Sequence, residues 1–461
     1  MENLIEQIKN IVGENGLIIG DDVAKRAGDW LGRSKCGASA VIRPASTQEL
    51  SEVMKLCHAA GQKVVAAGGL TGLVHGADAV QDEVMISFER MNKVLEVDKT
   101  GRTMLVEAGA PLQKAHEAAK EHDLMFAVDL GARGSCTIGG NISTNAGGNQ
   151  VIRYGMMREQ VLGLEAVLAD GAIISSLNTL LKNNSGYDLK QLFIGSEGTL
   201  GLVTRAVLRL HSLPKSENVA FVAFDDFASL VNFFGAASRA FGGALTSFEV
   251  MWDSYYELIV GDGSKHNPPL PRGHKYYAII ECQGYEPEKD ADNFNAVLEK
   301  MVEDEMFADA MICQSLAQAK SVWAIREDIV GLFMGTQPAA VFDVSLPIST
   351  MENYLNELFA QVKQKWGEKS RVIVFGHLGD CNLHIVVSPG VWEPQTQGEI
   401  ETMVYSPLKA IGGAVSAEHG IGLEKRNYLQ HSRSESEIAL MRTLKEALDP
   451  KNILNSGKVL V

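Results

Sequence analysis

No two cysteines in this chain stand as a Cys-x-x-Cys pair. The six, Cys36, Cys57, Cys136, Cys282, Cys313 and Cys381, are spaced widely and irregularly, which fits a reduced, cytosolic protein better than a disulfide framework or a thiolate zinc site. No run approaches the ~18 apolar residues of a membrane span. The N-terminal stretch Met1–Asn10 carries Glu2, Glu6 and Lys9 and lacks an apolar segment, so no signal peptide is expected. Positive charge is in deficit: 42 Lys and Arg face 57 Asp and Glu, a net −15. Such a surface repels phosphate backbones and anionic lipid, so neither nucleic acid nor a membrane surface is an expected partner. The dinucleotide signature Gly-x-Gly-x-x-Gly is absent, and so is the Gly-Lys-Ser/Thr of a Walker A loop.

What the chain has is length, apolar residues and glycine. Its 461 residues, 46% hydrophobic and 21% charged, suffice for a sizeable core in about three folding units of roughly 150 residues, or in two larger ones. Leu4, Ile5, Ile8, Ile11 and Val12 recur at helical spacing, so an amphipathic helix opens the chain. A strand over 40–43, a helix over 49–60 and a strand over 63–67 form a strand–helix–strand unit that runs into a glycine loop. Short strands are expected at 84–88, 94–97 and 103–108, a helix at 111–122, and strands at 160–168 and 172–175 around the hairpin signal Asp170-Gly171. A strand over 201–210 is closed off by Pro214. Beyond about Val219 glycine thins and strand-like runs alternate with helices, which reads as a separate α+β domain. A helix over 434–448 stops at Asp449-Pro450.

The glycines cluster in loops. Gly68-Gly69-Leu70-Thr71-Gly72-Leu73-Val74-His75-Gly76 follows a strand. Glycine lets consecutive amides converge on an anion without interference from Cβ, so this loop suits a pyrophosphate, although a flexible turn would read the same way. Gly131 to Gly148 reads as a second loop, with six glycines, the hydroxyls of Ser135, Thr137 and Ser143 ahead of Thr144, and the amides of Asn141 and Asn145. A packed core has no need of that mixture, whereas a cofactor rich in polar atoms does. Gly195 to Gly201 opens onto a strand as the third. Three such loops point to one large phosphate-bearing ligand lying along loop backbones.

A second constellation lies late in the chain. His377 and His384 stand seven apart in His-Leu-Gly-Asp-Cys-Asn-Leu-His, and a turn over 378–382 would let both imidazoles converge. Glu418-His419 sits in another glycine-flanked loop, Ala417 to Gly422. Two His and one carboxylate make an open divalent site, but histidines in a core or on a surface would give the same pattern.

Together these segments resemble the flavin domain of the vanillyl-alcohol oxidase / p-cresol methylhydroxylase superfamily. The likeness is closest to its D-2-hydroxyacid dehydrogenase branch, which includes the D-2-hydroxyglutarate and D-lactate dehydrogenases and the glycolate oxidase flavin subunit. It rests on 68–76, 129–148, Arg153-Tyr154-Gly155, 186–193, 195–201, Asp343–Pro347, His377–His384, Ser416–Gly422 and Asn455–Lys458. The resemblance implies an α+β fold: a two-subdomain PCMH-type FAD-binding domain over 1–215, a cap domain with an antiparallel sheet and the metal site over 216–424, and a C-terminal segment over 425–461 returning to the FAD domain. For FAD it implies Gly68, Gly69, Leu70, Thr71, Gly72, Leu73, Gly131, Ser135, Thr137, Ile138, Gly139, Gly140, Asn141, Thr144, Asn145, Ala146, Gly147, Gly148, Glu197, Gly198, Gly201, Leu202, Val203 and Asn455. Members that attach FAD covalently place a His in the slot held here by Leu70, so non-covalent FAD is expected. His377, His384 and Glu418 carry over as ligands of Zn²⁺ or Mn²⁺, His419 as catalytic base and substrate contact, and Arg326 as the partner of a substrate carboxylate; a surface helix salt bridge is the plainer reading of Arg326.

The implied reaction is oxidation of a D-2-hydroxy acid to the 2-oxo acid, with His419 taking the hydroxyl proton and FAD the electrons. Electrons should pass on to a quinone, a cytochrome or an electron-transfer flavoprotein, and a homodimer is the expected assembly. A flavin oxidase using O₂ and a flavin subunit of a larger complex are the competing readings. The chain departs from the family at several points. His75 and Cys381 stand where Gly is usual, Ala66 and Ser456 where Pro is. Val330 and Val341 replace the Thr and Lys of D-2-hydroxyglutarate dehydrogenases, which favours a smaller or more apolar acid such as D-lactate, although 186–201 and Asp343–Pro347 look closest to the hydroxyglutarate enzymes.

Overall fold

The computed structural model describes residues 2–29 and 34–461; Met1, at the head of the N-terminal stretch read above, lies outside them. The chain divides into two compact units, one comprising residues 1–148, 155–213 and 418–461, the other 149–154 and 214–417.

In the first unit, β1 (Leu17–Ile19), β2 (Ala40–Ile42), β3 (Lys63–Ala67) and β4 (Glu83–Ser87) form a sheet in the order β1-β2-β4-β3. The β2–helix–β3 unit expected from the sequence is present, and both strands pair with β4 in parallel. Its helix, Thr47–Ala60, starts where the Ser46 hydroxyl accepts from the Glu49 amide and ends at Gly61, whose φ of 67° suits glycine. Further along come β5 (Val94–Asp98), β6 (Thr103–Glu107), β7 (Leu124–Met125), β8 (Val161–Val167), β9 (Ile173–Ser176), β10 (Leu202–Arg209) and β11 (His211–Ser212). Five of them make an antiparallel sheet ordered β5-β6-β10-β8-β9, while β7 pairs with β11. One core, including Ile42, Val64, Ile86, Val106, Ile142 and Leu208, serves both larger sheets. The C-terminal tail returns to this unit as expected: Val64 donates to Ile453 at 2.7 Å and Asn455 to Val64 at 2.8 Å.

The stretch 131–148 is not a continuous loop. Residues Ile138–Thr144 are helical, with the Thr137 hydroxyl accepting from the Gly140 amide. Helix propensity argues against a Gly-Gly pair here. Packing overrides it, because Gly139 lies against Ala108 so closely that a Cβ would fall 2.7 Å from the alanine methyl.

The second unit is built on β12 (Ser216–Phe224), β13 (Leu245–Trp252), β14 (Tyr276–Gly284), β15 (Asp309–Ile312), β16 (Ala340–Ser345), β17 (Arg371–His377) and β18 (Asn382–Ser388). They form one seven-stranded sheet, β15-β12-β14-β13-β17-β18-β16, with every pairing antiparallel. One face is covered by the helices Asp253–Val260, Leu316–Arg326 and Ile329–Thr336, through a core that includes Phe221, Tyr255, Tyr277, Ile325, Leu332 and Val386. On the opposite face, rings of the helix Phe227–Phe241 pack on Phe248, with Phe233 at 6.0 Å and Phe234 at 4.8 Å. Among the described residues no helix is long and apolar enough to cross a membrane.

Candidate functional site

A row of polar side chains crosses the helix-covered face of the second unit's sheet. Registry explains it. Phe375 stands opposite His384 and His377 opposite Asn382, so His377 and His384 are diagonal neighbours on one face of the β17–β18 hairpin. Their rings lie 5.3 Å apart and nearly perpendicular. The turn between them is tight because Gly379 lets Ile152 approach to where a Cβ would stand 2.6 Å away. Cys381 completes it at φ 70°. That conformation is one that favours glycine.

Each imidazole has a carboxylate beside it. His377 Nδ1 lies 2.8 Å from Glu249 Oε1, and Asp343 Oδ1 is 3.9 Å from His384 Nδ1. Glu249 is directly opposite His377 across β13 and β17, and is almost fully buried. Burial raises its carboxyl's pKa, but His377 and Arg326 together bring it below the usual range. With the carboxylate on Nδ1, Nε2 of His377 faces the Arg326 guanidinium at 3.4 Å. Glu249 Oε2 also pairs with Arg326 at 2.9 Å. The Arg326 guanidinium lies 4.7 Å over the Phe375 ring, and its buried Nε has no hydrogen-bond partner. A buried donor left over in this way suits a ligand carboxylate. Arg326 is therefore no surface residue; it is 5% exposed. Asp343 Oδ2 accepts from the Ala417 amide at 3.1 Å, so the chain leaves this unit tied to the strand that pairs with His384, and Glu418 is the next residue.

Sequence reasoning missed Glu249. Its signal is one acid in the otherwise uncharged, wholly buried strand β13. Glu281 on β14 is a similar case, bonded by Thr246, Trp323 and Gln283. Burial, with Glu217 nearby, raises its pKa to about 7 against those three donors.

In the first unit the glycine loops divide by what surrounds them. A Cβ on Gly68 would meet the Thr137 hydroxyl at 2.5 Å and one on Gly69 the Ser135 carbonyl at 1.9 Å, so the first two loops touch back to back. Gly148 is pressed on the Asp129 carbonyl and Gly201 on the Phe193 ring in the same way. Around Gly72, Gly131 and Gly134 a Cβ would meet nothing within 4 Å. Among the described residues no backbone carbonyl accepts from the amides of residues 69–76. Open glycines beside unspent amides fit a phosphate-bearing cofactor such as FAD. Leu70, at φ 56°, packs on the cluster of Val23, Val41 and Met85, and His75, at φ 60°, holds Asp78 at 2.9 Å.

Other residues in the FAD expectation are occupied within the fold. The amides of Ile138 and Gly139 bond Ala110 and Ala108. The Thr144 hydroxyl bonds Gly140, and Asn145 accepts from Arg158. Asn141, Ala146, Leu202 and Val203 are buried. Glu197 accepts from the amides of Ile421 and Gly422 at 2.7 and 2.8 Å, and burial raises its pKa even so. Asn455 links the loops by accepting from Ala66 at 2.9 Å and donating to the Glu197 carbonyl at 2.7 Å. The Glu418–Gly422 segment bearing His419 is thus fixed on the third loop, and on the first by Leu423, which donates to Val74 at 2.9 Å. Glu418 itself faces the Gly148 amide at 3.4 Å.

Two family models match the chain. Residues 38–176 match the FAD binding domain, and residues 213–459 match the C-terminal domain of FAD linked oxidases. A D-2-hydroxyglutarate dehydrogenase of Xanthomonas citri pv. viticola is 40% identical, over 94% of this chain and 91% of its own. A mitochondrial D-2-hydroxyglutarate dehydrogenase of Arabidopsis thaliana is 37% identical, over 99% and 81%. The solved structure of p-cresol methylhydroxylase with substrate bound has the same fold, with a TM-score of 0.75 at 15% identity over 99% of this chain and 96% of that one. The chain belongs to the FAD-linked oxidase family. It is an enzyme, an FAD-dependent oxidoreductase.

Proposed function

We propose that this enzyme oxidises a D-2-hydroxy acid to the corresponding 2-oxo acid, with non-covalent FAD and a divalent cation, Zn²⁺ or Mn²⁺. Its relatives are named for such an acid. FAD lies along the loops 68–76 and 131–134, and when bound it accepts two electrons from the substrate carbon. His377, His384 and Glu418 hold the cation, which supplies Lewis acidity toward the substrate hydroxyl. His419 takes the hydroxyl proton, and Arg326 receives the carboxylate through its unspent Nε. The electrons leave for a quinone, a cytochrome or an electron-transfer flavoprotein.

The observation that carries this reading is the pair of imidazoles on one hairpin face, with Glu249 on Nδ1 of His377. In the test, His419→Ala and His384→Ala are assayed on D-2-hydroxy acids with an artificial electron acceptor, while flavin absorbance is recorded. Both variants should keep the flavin and lose turnover by at least about a hundredfold, the order general-base contributions reach. Wild-type turnover in either one would refute the role assigned to it.

A further inference from the structure

The neighbours of His384 determine what the rest of a substrate meets. Side chains alternate along β16 and β18, so one step beyond His384 on the same face stand Val386, on its own strand, and Val341 directly opposite. Val386 is fully buried in the core that includes Leu332, while Val341 is 37% exposed. The helix Ile329–Thr336 adds Val330 and Met334, one turn apart on one side, 67% and 82% exposed. On the neighbouring strand β17 the same face carries Arg371, opposite Ser388 and two same-face steps beyond Phe375 and His384. Neither β16, β18 nor that helix contains a Lys or Arg. The basic side chains flanking the helix are engaged: Lys265 and the His266 ring each lie 3.0 Å from Asp328, and Arg326 pairs with Glu249. A second carboxylate placed against Val341 and Val330 would lose its water with no counter-charge on these elements to receive it, whereas methyl and methylene groups would gain by leaving water.

We propose that the acid oxidised carries an aliphatic chain beyond C2, received by Val341, Val330 and Met334. This rests on the reading that His384 holds the substrate's cation. In the reaction the acid R–CHOH–COO⁻ gives its hydroxyl proton to His419 and its C2 hydrogen with two electrons to the acceptor that bound FAD would supply, and R–CO–COO⁻ leaves. R changes no bond, so the choice of R is made by binding. The relatives named for D-2-hydroxyglutarate act on an acid whose R ends in a carboxylate, and Val341, Val330 and Met334 are not furnished for one.

The test measures kcat/KM of the holoenzyme with an artificial acceptor on D-lactate, D-2-hydroxybutyrate and D-2-hydroxyglutarate, for the wild type and Val341→Lys. The wild type should favour D-2-hydroxybutyrate over D-2-hydroxyglutarate by at least roughly tenfold, as an unpaired polar group in a binding site commonly costs that much or more. Val341→Lys should move the ratio toward D-2-hydroxyglutarate by a similar factor. A wild type that oxidises D-2-hydroxyglutarate as well as or better than the aliphatic acids overturns the inference. A ratio left unmoved in a folded, flavin-bound Val341→Lys overturns the place given to Val341. Turnover of none of the three acids sinks the underlying D-2-hydroxyacid reading itself.

Discussion

Glu249 is the residue on which most of the second unit's chemistry converges. One carboxylate holds His377 by Nδ1 and Arg326 by its guanidinium. Glu249→Gln keeps the shape but removes the charge, leaving Arg326 buried beside a neutral amide. Losing one partner of a buried pair typically costs about 3–5 kcal/mol, and losing the carboxylate behind a metal-binding histidine weakens the metal about 10–100-fold. Denaturant unfolding should therefore show a less stable second unit, and competition against a chelator should show weaker Zn²⁺ binding. Unchanged metal affinity would contradict the positioning role. Legibility at this scale was uneven. His377, His384 and the flanking glycines advertise themselves by residue type, and His75 and Cys381 stood out as replacements for Gly, at positions that do require a positive φ. Glu249 did not stand out, because a single acid in an apolar strand acquires meaning only when registry sets it opposite a histidine.

At the scale of elements, strands with strong periodicity and helices with clear caps were readable, as with the Asp170-Gly171 hairpin between β8 and β9 and the capping box at Ser434 and Glu437. The helix inside 131–148 was not, because its stability comes from the contact of Gly139 with Ala108, which lies far away in sequence. A third case is how the helix Leu316–Arg326 docks. Trp323 donates to Glu281 at 3.0 Å, and Arg326, one turn on, forms an ion pair with Glu249. Because burial raises the Glu281 pKa from 4.5 to about 7, the folded state holds that proton more tightly than the unfolded chain. The resulting stability is fully present below pH 4.5 and lost as pH rises through about 7. Thermal unfolding of the wild type should decline over that interval, and Glu281→Gln should flatten the decline. An equal slope in the variant would show that another group is responsible.

For the molecule as a whole, the sequence carried the class of fold because three glycine loops and a His–His–Glu set recur in fixed order along the chain. It did not carry the division of labour among those glycines. Gly69, Gly148 and Gly201 let loops and rings press together, whereas Gly72, Gly131 and Gly134 border open space, and only tertiary packing distinguishes the two groups. The central claim is that two imidazoles of one hairpin and the carboxylate of Glu418 hold a divalent ion on which turnover depends. Its most direct test is the metal content of purified protein by plasma mass spectrometry, for the wild type and His384→Ala, with wild-type turnover followed through chelation and add-back. The account predicts about one Zn²⁺ or Mn²⁺ per wild-type chain, near none in the variant, and activity lost with EDTA and restored by the metal. Full turnover in wild-type protein stripped of metal would contradict it.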